Sequence, residues 1–282
     1  MLWRKTENNT PTMKRLLSLL VALTTLATAQ AYEHKVVEVH SPSMAKSVAV
    51  TIILPDGYDT ASGEYDVVYL LHGFGDNNES WHLRGQIAPY ADQYGIIFVC
   101  PDGGKSWYWD SPIDPTLRYE TFIAEELVAW VDSNLRSRSE RTSRAITGLS
   151  MGGHGALFIA TRHPQTFGAM GSTSGGVDIR PFPDGWDMAM RLGTQEEHPE
   201  NWESHTVINL VERMPKDGSQ AIIIDCGTED FFYEVNCNLH QKMLTQGVPH
   251  DFYVRPGRHH WPYWQGSIAY QLLFFDNYFR NN

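Results

Sequence analysis

Arg144-Ala145-Ile146-Thr147-Gly148-Leu149-Ser150-Met151-Gly152-Gly153-His154-Gly155-Ala156-Leu157 is the stretch whose reading decides the fold. Arg144–Thr147 is a short β-prone run, and Gly153–Arg162 carries a helical pattern. A serine therefore sits at a strand-to-helix turn, with Gly148 two residues before it and Gly152 two after. A serine hydroxyl is a poor nucleophile unless a sharp turn presents it to a base, and small flanking residues let such a turn close. Ser150 is thus the candidate nucleophile. Met151, at the helix start, offers a backbone N–H where unpaired donors and the helix dipole favour an oxyanion.

Working outward, seven further runs read as strands: Lys35–Val39, Ser47–Leu54, Val67–Leu71, Ile96–Cys100, Ala169–Ser172, Ala221–Asp225 and Asp251–Val254. Helical patterns lie over Tyr119–Leu135, Glu234–Thr245 and Ser267–Phe279. Two early antiparallel strands followed by strand–helix alternation predict an α/β chain with a mostly parallel sheet of about eight strands flanked by helices. Val67–Leu71 and Ile96–Cys100 are continuously apolar, as strands covered on both faces are. Residues 177–206, rich in Pro, Gly, Asp and Trp, fit no period and read as an excursion over one end of the sheet.

The chain has 282 residues, 42% of them hydrophobic and 20% charged, enough for a packed core and unlike a disordered chain. Met13-Lys14-Arg15, an apolar run Leu16–Ala27 and Ala29-Gln30-Ala31 have the three parts of an export signal, with Met13 a possible start. The run is short for a bilayer span. Residues 1–31 are accordingly expected to be a signal peptide. Residues 32–282 are expected to form a single exported catalytic domain, periplasmic or extracellular, with no membrane span. That domain carries 18 basic and 32 acidic residues, a balance of −14. So acidic a chain does not hold a phosphate backbone by bulk charge, so nucleic acid is not an expected partner. The three cysteines are too few for a disulfide scaffold, although Cys226 and Cys237 could pair in an oxidising compartment.

A nucleophile of this kind needs a base and an acid, in the chain order Ser, acid, His. Asp230 lies in the loop after Ala221–Asp225 and is preferred, ahead of Asp225 and Glu229. After the last strand comes Arg255-Pro256-Gly257-Arg258-His259-His260-Trp261. His259 is preferred as the base over His260, since neighbouring side chains diverge and only one can face both partners. A metal site at this histidine pair is disfavoured, because no His-Glu-x-x-His or spaced Cys/His cluster accompanies it. A second oxyanion donor is expected from the loop after Leu70-Leu71-His72-Gly73, at the Phe74 N–H, with His72 orienting that loop. Gly104-Lys105-Ser106 and Gly73-Phe74-Gly75 resemble pieces of nucleotide-binding loops, but Val99 and Asn78 stand where those patterns need glycine.

Gly148-Leu149-Ser150-Met151-Gly152-Gly153-His154-Gly155 resembles the esterase D-like branch of the α/β-hydrolases. So do Tyr69-Leu70-Leu71-His72-Gly73, Pro101-Asp102-Gly103-Gly104 with Ser106-Trp107-Tyr108, Asp225-Cys226-Gly227-Thr228-Glu229-Asp230-Phe231, and the tail through Trp261. In the tail Arg258 and His260 replace the family's usual Gly and Asp. The resemblance implies the α/β-hydrolase fold, Ser150 as nucleophile, Asp230 as acid, His259 as base, Phe74 and Met151 as oxyanion donors, and no cofactor. It implies a serine esterase acting on feruloyl or acetyl esters of plant polysaccharide or related small esters. A generic short-chain carboxylesterase and a sugar-directed acyltransferase are the alternatives. Trp107 and Trp261, near the loops at the active end, are the expected substrate-binding aromatics.

Overall fold

The computed structural model describes Met1 and residues 32–282; the expected signal segment lies outside the described residues. Residues 32–282 form one compact unit. The strands are β1 (Glu33–Ser41), β2 (Lys46–Leu54), β3 (Asp66–Leu71), β4 (Ile96–Pro101), β5 (Arg144–Gly148), β6 (Ala169–Thr173), β7 (Ala221–Gly227) and β8 (Asp251–Arg255). They make one eight-stranded sheet in the order β1-β2-β4-β3-β5-β6-β7-β8. β1 pairs antiparallel with β2, and β2 antiparallel with β4. Every pairing from β4 through β8 is parallel.

Alternation along the central strands feeds two separate cores. Val67, Tyr69 and Leu71 of β3 pack with Phe122, Leu127, Leu157 and Leu239 on one face. Val68 and Leu70 pack with Ala91, Ile268, Leu272 and Phe275 on the other. Both faces are covered, so β3 and β4 are fully or almost fully buried, which is why they read as unbroken apolar runs.

The eight expected strands all form, each within two residues of its expected ends. The helices differ more. The segment expected as one helix over Tyr119–Leu135 runs as Tyr119–Thr121, a π-wound stretch Phe122–Leu127, and Val128–Asn134. The C-terminal helix is Trp261–Arg280 and starts six residues before the expected Ser267. Its first turn is hidden in the sequence by Trp261, Pro262, Tyr263 and Trp264. Pro at the first turn costs no hydrogen bond, and the His260 side chain accepts from Tyr263 N at 3.3 Å as a cap.

Parallel strands aim all their outgoing turns at one edge of the sheet. Ser150, after β5, the Gly73 loop, after β3, the Asp230 loop, after β7, and the His259 loop, after β8, therefore open on the same rim. The helix Met151–Arg162 behind Ser150 is buried for eleven of its twelve residues. His154 lies wholly inside it, donating from Nδ1 to the Gly176 carbonyl at 2.9 Å and accepting at Nε2 from Trp109 Nε1 at 2.8 Å.

Acceptance at Nε2 requires a neutral ring, and burial pushes the His154 pKa down to about 3. As pH falls from about 6.5 toward 3, the unfolded chain takes up a proton that the folded chain does not. Folding stability should then drop by up to about 1.4 kcal/mol per pH unit on this account alone. Unfolding free energies of the wild type and His154→Gln between pH 7 and pH 4 check this. The wild type should show the steeper acid decline, and parallel slopes would contradict a neutral buried His154.

Candidate active site

Ser150 occupies φ 56°, ψ −118°, between β5 and the helix that starts at Met151. A non-glycine residue in this region is strained, and surrounding contacts must hold it there. Here Ser150 N donates to the Thr173 carbonyl at 3.0 Å, and His154 N donates to the Ser150 carbonyl at 3.0 Å. The flanking glycines are forced by proximity. A Cβ on Gly148 would lie 2.5 Å from the Leu71 carbonyl oxygen, and one on Gly152 only 2.2 Å from it. Gly73 approaches from the neighbouring loop, where a Cβ would stand 3.4 Å from Ser150 Cβ and 2.6 Å from Leu149 Cδ1.

The rim brings Ser150, His259 and Asp230 together. His259 Nε2 is 2.8 Å from Ser150 Oγ. His259 Nδ1 is 2.8 Å from Asp230 Oδ2 and 3.0 Å from Oδ1. The Asp230 side chain is fully buried and also accepts the Phe232 N–H at 2.8 Å, while the His259 side chain keeps 14% of its surface open. A buried carboxylate on Nδ1 leaves Nε2 facing the serine hydroxyl, the tautomer that accepts a proton. His260, the alternative, is exposed and caps the C-terminal helix instead. Glu229 is exposed and pairs with Arg258 at 2.9 Å.

Asp225 is placed elsewhere, buried beneath the rim. It accepts from Thr173 Oγ1 at 2.9 Å, Ser267 Oγ at 2.6 Å and Gln271 Nε2 at 2.8 Å. Burial raises its pKa against those bonds. Its role is to tie β6 and β7 to the C-terminal helix. Cys226 and Cys237 are both free thiols, as is Cys100.

The Met151 N–H follows Ser150 directly, and the Phe74 N–H follows Gly73, whose Cβ position lies 3.4 Å from Ser150 Cβ. Met151 is the first helical residue. Among the described residues neither N–H has an acceptor. His72 holds the Phe74 loop: Nδ1 donates to the Gly73 carbonyl at 2.8 Å, and Nε2 accepts the Gly103 N–H at 2.8 Å.

The expected aromatic contacts with substrate are corrected by burial. Trp107 is 1% exposed, with Nε1 donating to the Trp186 carbonyl at 3.1 Å, and Trp261 is 6% exposed against Trp81 and Trp264. Both rings pack inward, Trp107 on Trp109 and His154, Trp261 on Trp81 and Trp264. Of the aromatics against the base, Phe231 is the exposed one, half open to solvent, with its ring centroid 4.2 Å from that of His259 and stacked on Trp186 at 5.5 Å, while Trp264 and Phe232 are buried. Phe231 closes the Asp225–Phe231 motif with no role assigned by the sequence, although it directly follows Asp230. Trp186 belongs to the 177–206 excursion, which is thereby packed against the site.

A family model described as "Putative esterase" matches residues 41–275. The chain belongs to this esterase family. Esterase Rv1288 of Mycobacterium tuberculosis is 28% identical over 237 residues, covering 74% of this chain and 52% of that protein. An endo-1,4-beta-xylanase/feruloyl esterase of Xylanibacter ruminicola is 30% identical over 150 residues, 49% of this chain and 21% of that one. The esterase-family chain thus spans about half the length, or less, of these curated relatives. A solved ferulic acid esterase structure superposes with TM-score 0.77 at 29% identity, covering 88% of this chain and 99% of that one. The fold shared with such neighbours is the α/β-hydrolase fold.

Gly152→Ala should be destabilising by about 1–3 kcal/mol or more, because the obstacle is the Leu71 backbone and no rotamer relieves it. Thermal unfolding of the variant measures this; an unchanged melting temperature would contradict the close approach of the Met151–Arg162 helix to the end of β3.

Proposed function

We propose that this chain is an exported carboxylic-ester hydrolase working through Ser150, His259 and Asp230. The observation that carries the reading is the pair of 2.8 Å contacts from one imidazole, to Ser150 Oγ and to Asp230 Oδ2. Family membership supports the ester as substrate. The export half rests on the Met13–Ala31 stretch.

In this mechanism Ser150 Oγ attacks the ester carbonyl while its proton passes to His259 Nε2. The carbonyl oxygen becomes an oxyanion, held by the Phe74 and Met151 N–H groups in their uncommitted state. His259 gives its proton to the leaving alcohol, and the acyl group stays on Ser150. Water then repeats the attack through the same base, releasing the acid and restoring the serine. Asp230 stabilises the imidazolium formed at both steps and fixes its orientation.

For the substrate we favour feruloyl or acetyl esters of carbohydrate. Support comes from the names of the Xylanibacter relative and of the ferulic acid esterase structure. The half-exposed Phe231 beside His259 suits a flat acyl group.

Side-by-side assays on methyl ferulate, acetylated xylan and p-nitrophenyl acetate, with and without a sugar acceptor, test the reading. Ser150→Ala should lower kcat by about 10⁶-fold on whichever ester is turned over. Near-native hydrolysis by that variant would remove Ser150 from the mechanism. Acyl sugar as the main product would make the chain a transferase.

A further inference from the structure

We propose that a polar recess on the catalytic rim, lined by Lys46, Ser47, Asp102 and Tyr119, holds a sugar ring of the substrate several bonds from the reacting ester. This inference rests on the ester-hydrolase reading above.

The recess has a volume of about 210 Å³. Whole-ligand pockets start near 300 Å³, so it suits one ring of a larger molecule. Its position follows from the sheet. Lys46 begins β2, which runs antiparallel to β4, so Lys46 shares an edge with Asp102, just past the end of β4. That edge also carries Ser150. Strands lie about 4.8 Å apart, and β4 and β2 are two and three positions from β5. The recess is therefore about 10–14 Å from the strand that presents Ser150.

A series of neighbouring residues leads from one to the other. Phe74 follows Gly73, the residue beside Ser150, and the Lys105 ammonium stands 4.9 Å from the centroid of the Phe74 ring. Gly104, next in the chain, donates from N to Asp102 Oδ1 at 2.8 Å, and a Cβ on it would lie 3.7 Å from the Tyr119 hydroxyl.

The chemistry of the lining selects a neutral polyol. Lys46 Nζ donates to the Tyr119 hydroxyl at 3.1 Å, which leaves two ammonium protons and the phenolic proton to give. Among the described residues, Asp102 Oδ2 and the Ser47 hydroxyl have no hydrogen-bond partner. Lys46 and Asp102 do not meet as an ion pair. An anion would be drawn to the ammonium and repelled by the carboxylate, and a cation the reverse. Vicinal hydroxyls both donate and accept, and satisfy both ends at once.

Lys46 is exposed, so its replacement is expected to spare the fold, whereas Asp102 also faces His72 at 3.3 Å and is left intact. In Lys46→Ala, hydrolysis of p-nitrophenyl acetate should stay within twofold of wild type. The KM for an acetylated or feruloylated xylo-oligosaccharide should rise about tenfold or more, with kcat little changed, as loss of a charge-assisted donor predicts. A second readout needs no turnover. Unesterified xylotriose should bind Ser150→Ala by calorimetry and lose that binding when Lys46→Ala is added. Equal effects on both esters, no effect on either, or xylotriose binding indifferent to Lys46 would overturn the recess assignment. A wild type inert toward methyl ferulate, acetylated xylan and p-nitrophenyl acetate alike would instead sink the parent reading.

Discussion

The closeness of β3 and β5 at their outgoing ends governs this molecule. The Leu71 carbonyl sits where side chains on Gly148 or Gly152 would have to be. Only glycine at both positions lets the chain turn from strand to helix within a residue and hold Ser150 at positive φ. The same packing brings Gly73 beside Ser150, so the strand that presents the hydroxyl and the loop that flanks it are set by one contact.

Around that contact the polar groups divide by depth. Asp230 is buried but meets an imidazole and a backbone N–H, so its charge has partners aimed at the rim. Asp225, as deeply buried, meets Thr173, Ser267 and Gln271 instead and is spent on joining strands to the last helix. Two carboxylates five residues apart thus have different tasks because β7 ends between them. Phe231, Phe232 and Trp264 then close the apolar side of His259, Trp186 of the excursion packs on Phe231 and Phe232, and the Trp107–Trp186 hydrogen bond ties the excursion to the loop after β4.

Much of this was legible in the residues. The strands were, because buried β-prone runs bounded by turn residues have few other readings. The rim was, because parallel strands send their loops to one edge, so Ser150, Asp230 and His259 could be named from chain order and are found together. Less legible was anything that depends on which way a ring faces. Trp107 and Trp261 carry the right chemistry to meet a substrate, yet both are interior, and nothing in their local sequence separates a wall from a surface. The start of the C-terminal helix was masked because Trp261, Pro262 and Tyr263 lack a helical period, although His260 and Pro262 are a cap and a first-turn residue. The recess at Lys46 and Asp102 joins positions far apart in the chain, and only the β2–β4 pairing puts them at one edge.

The central claim is that His259, held by Asp230, activates Ser150. Active-site labelling reads this without choosing a substrate. A fluorophosphonate probe should attach to the wild type at Ser150, found by peptide mass mapping, should attach as readily to His260→Ala, and should attach orders of magnitude more slowly to folded His259→Ala. Label on another residue, or equal rates in the two histidine variants, would contradict the account.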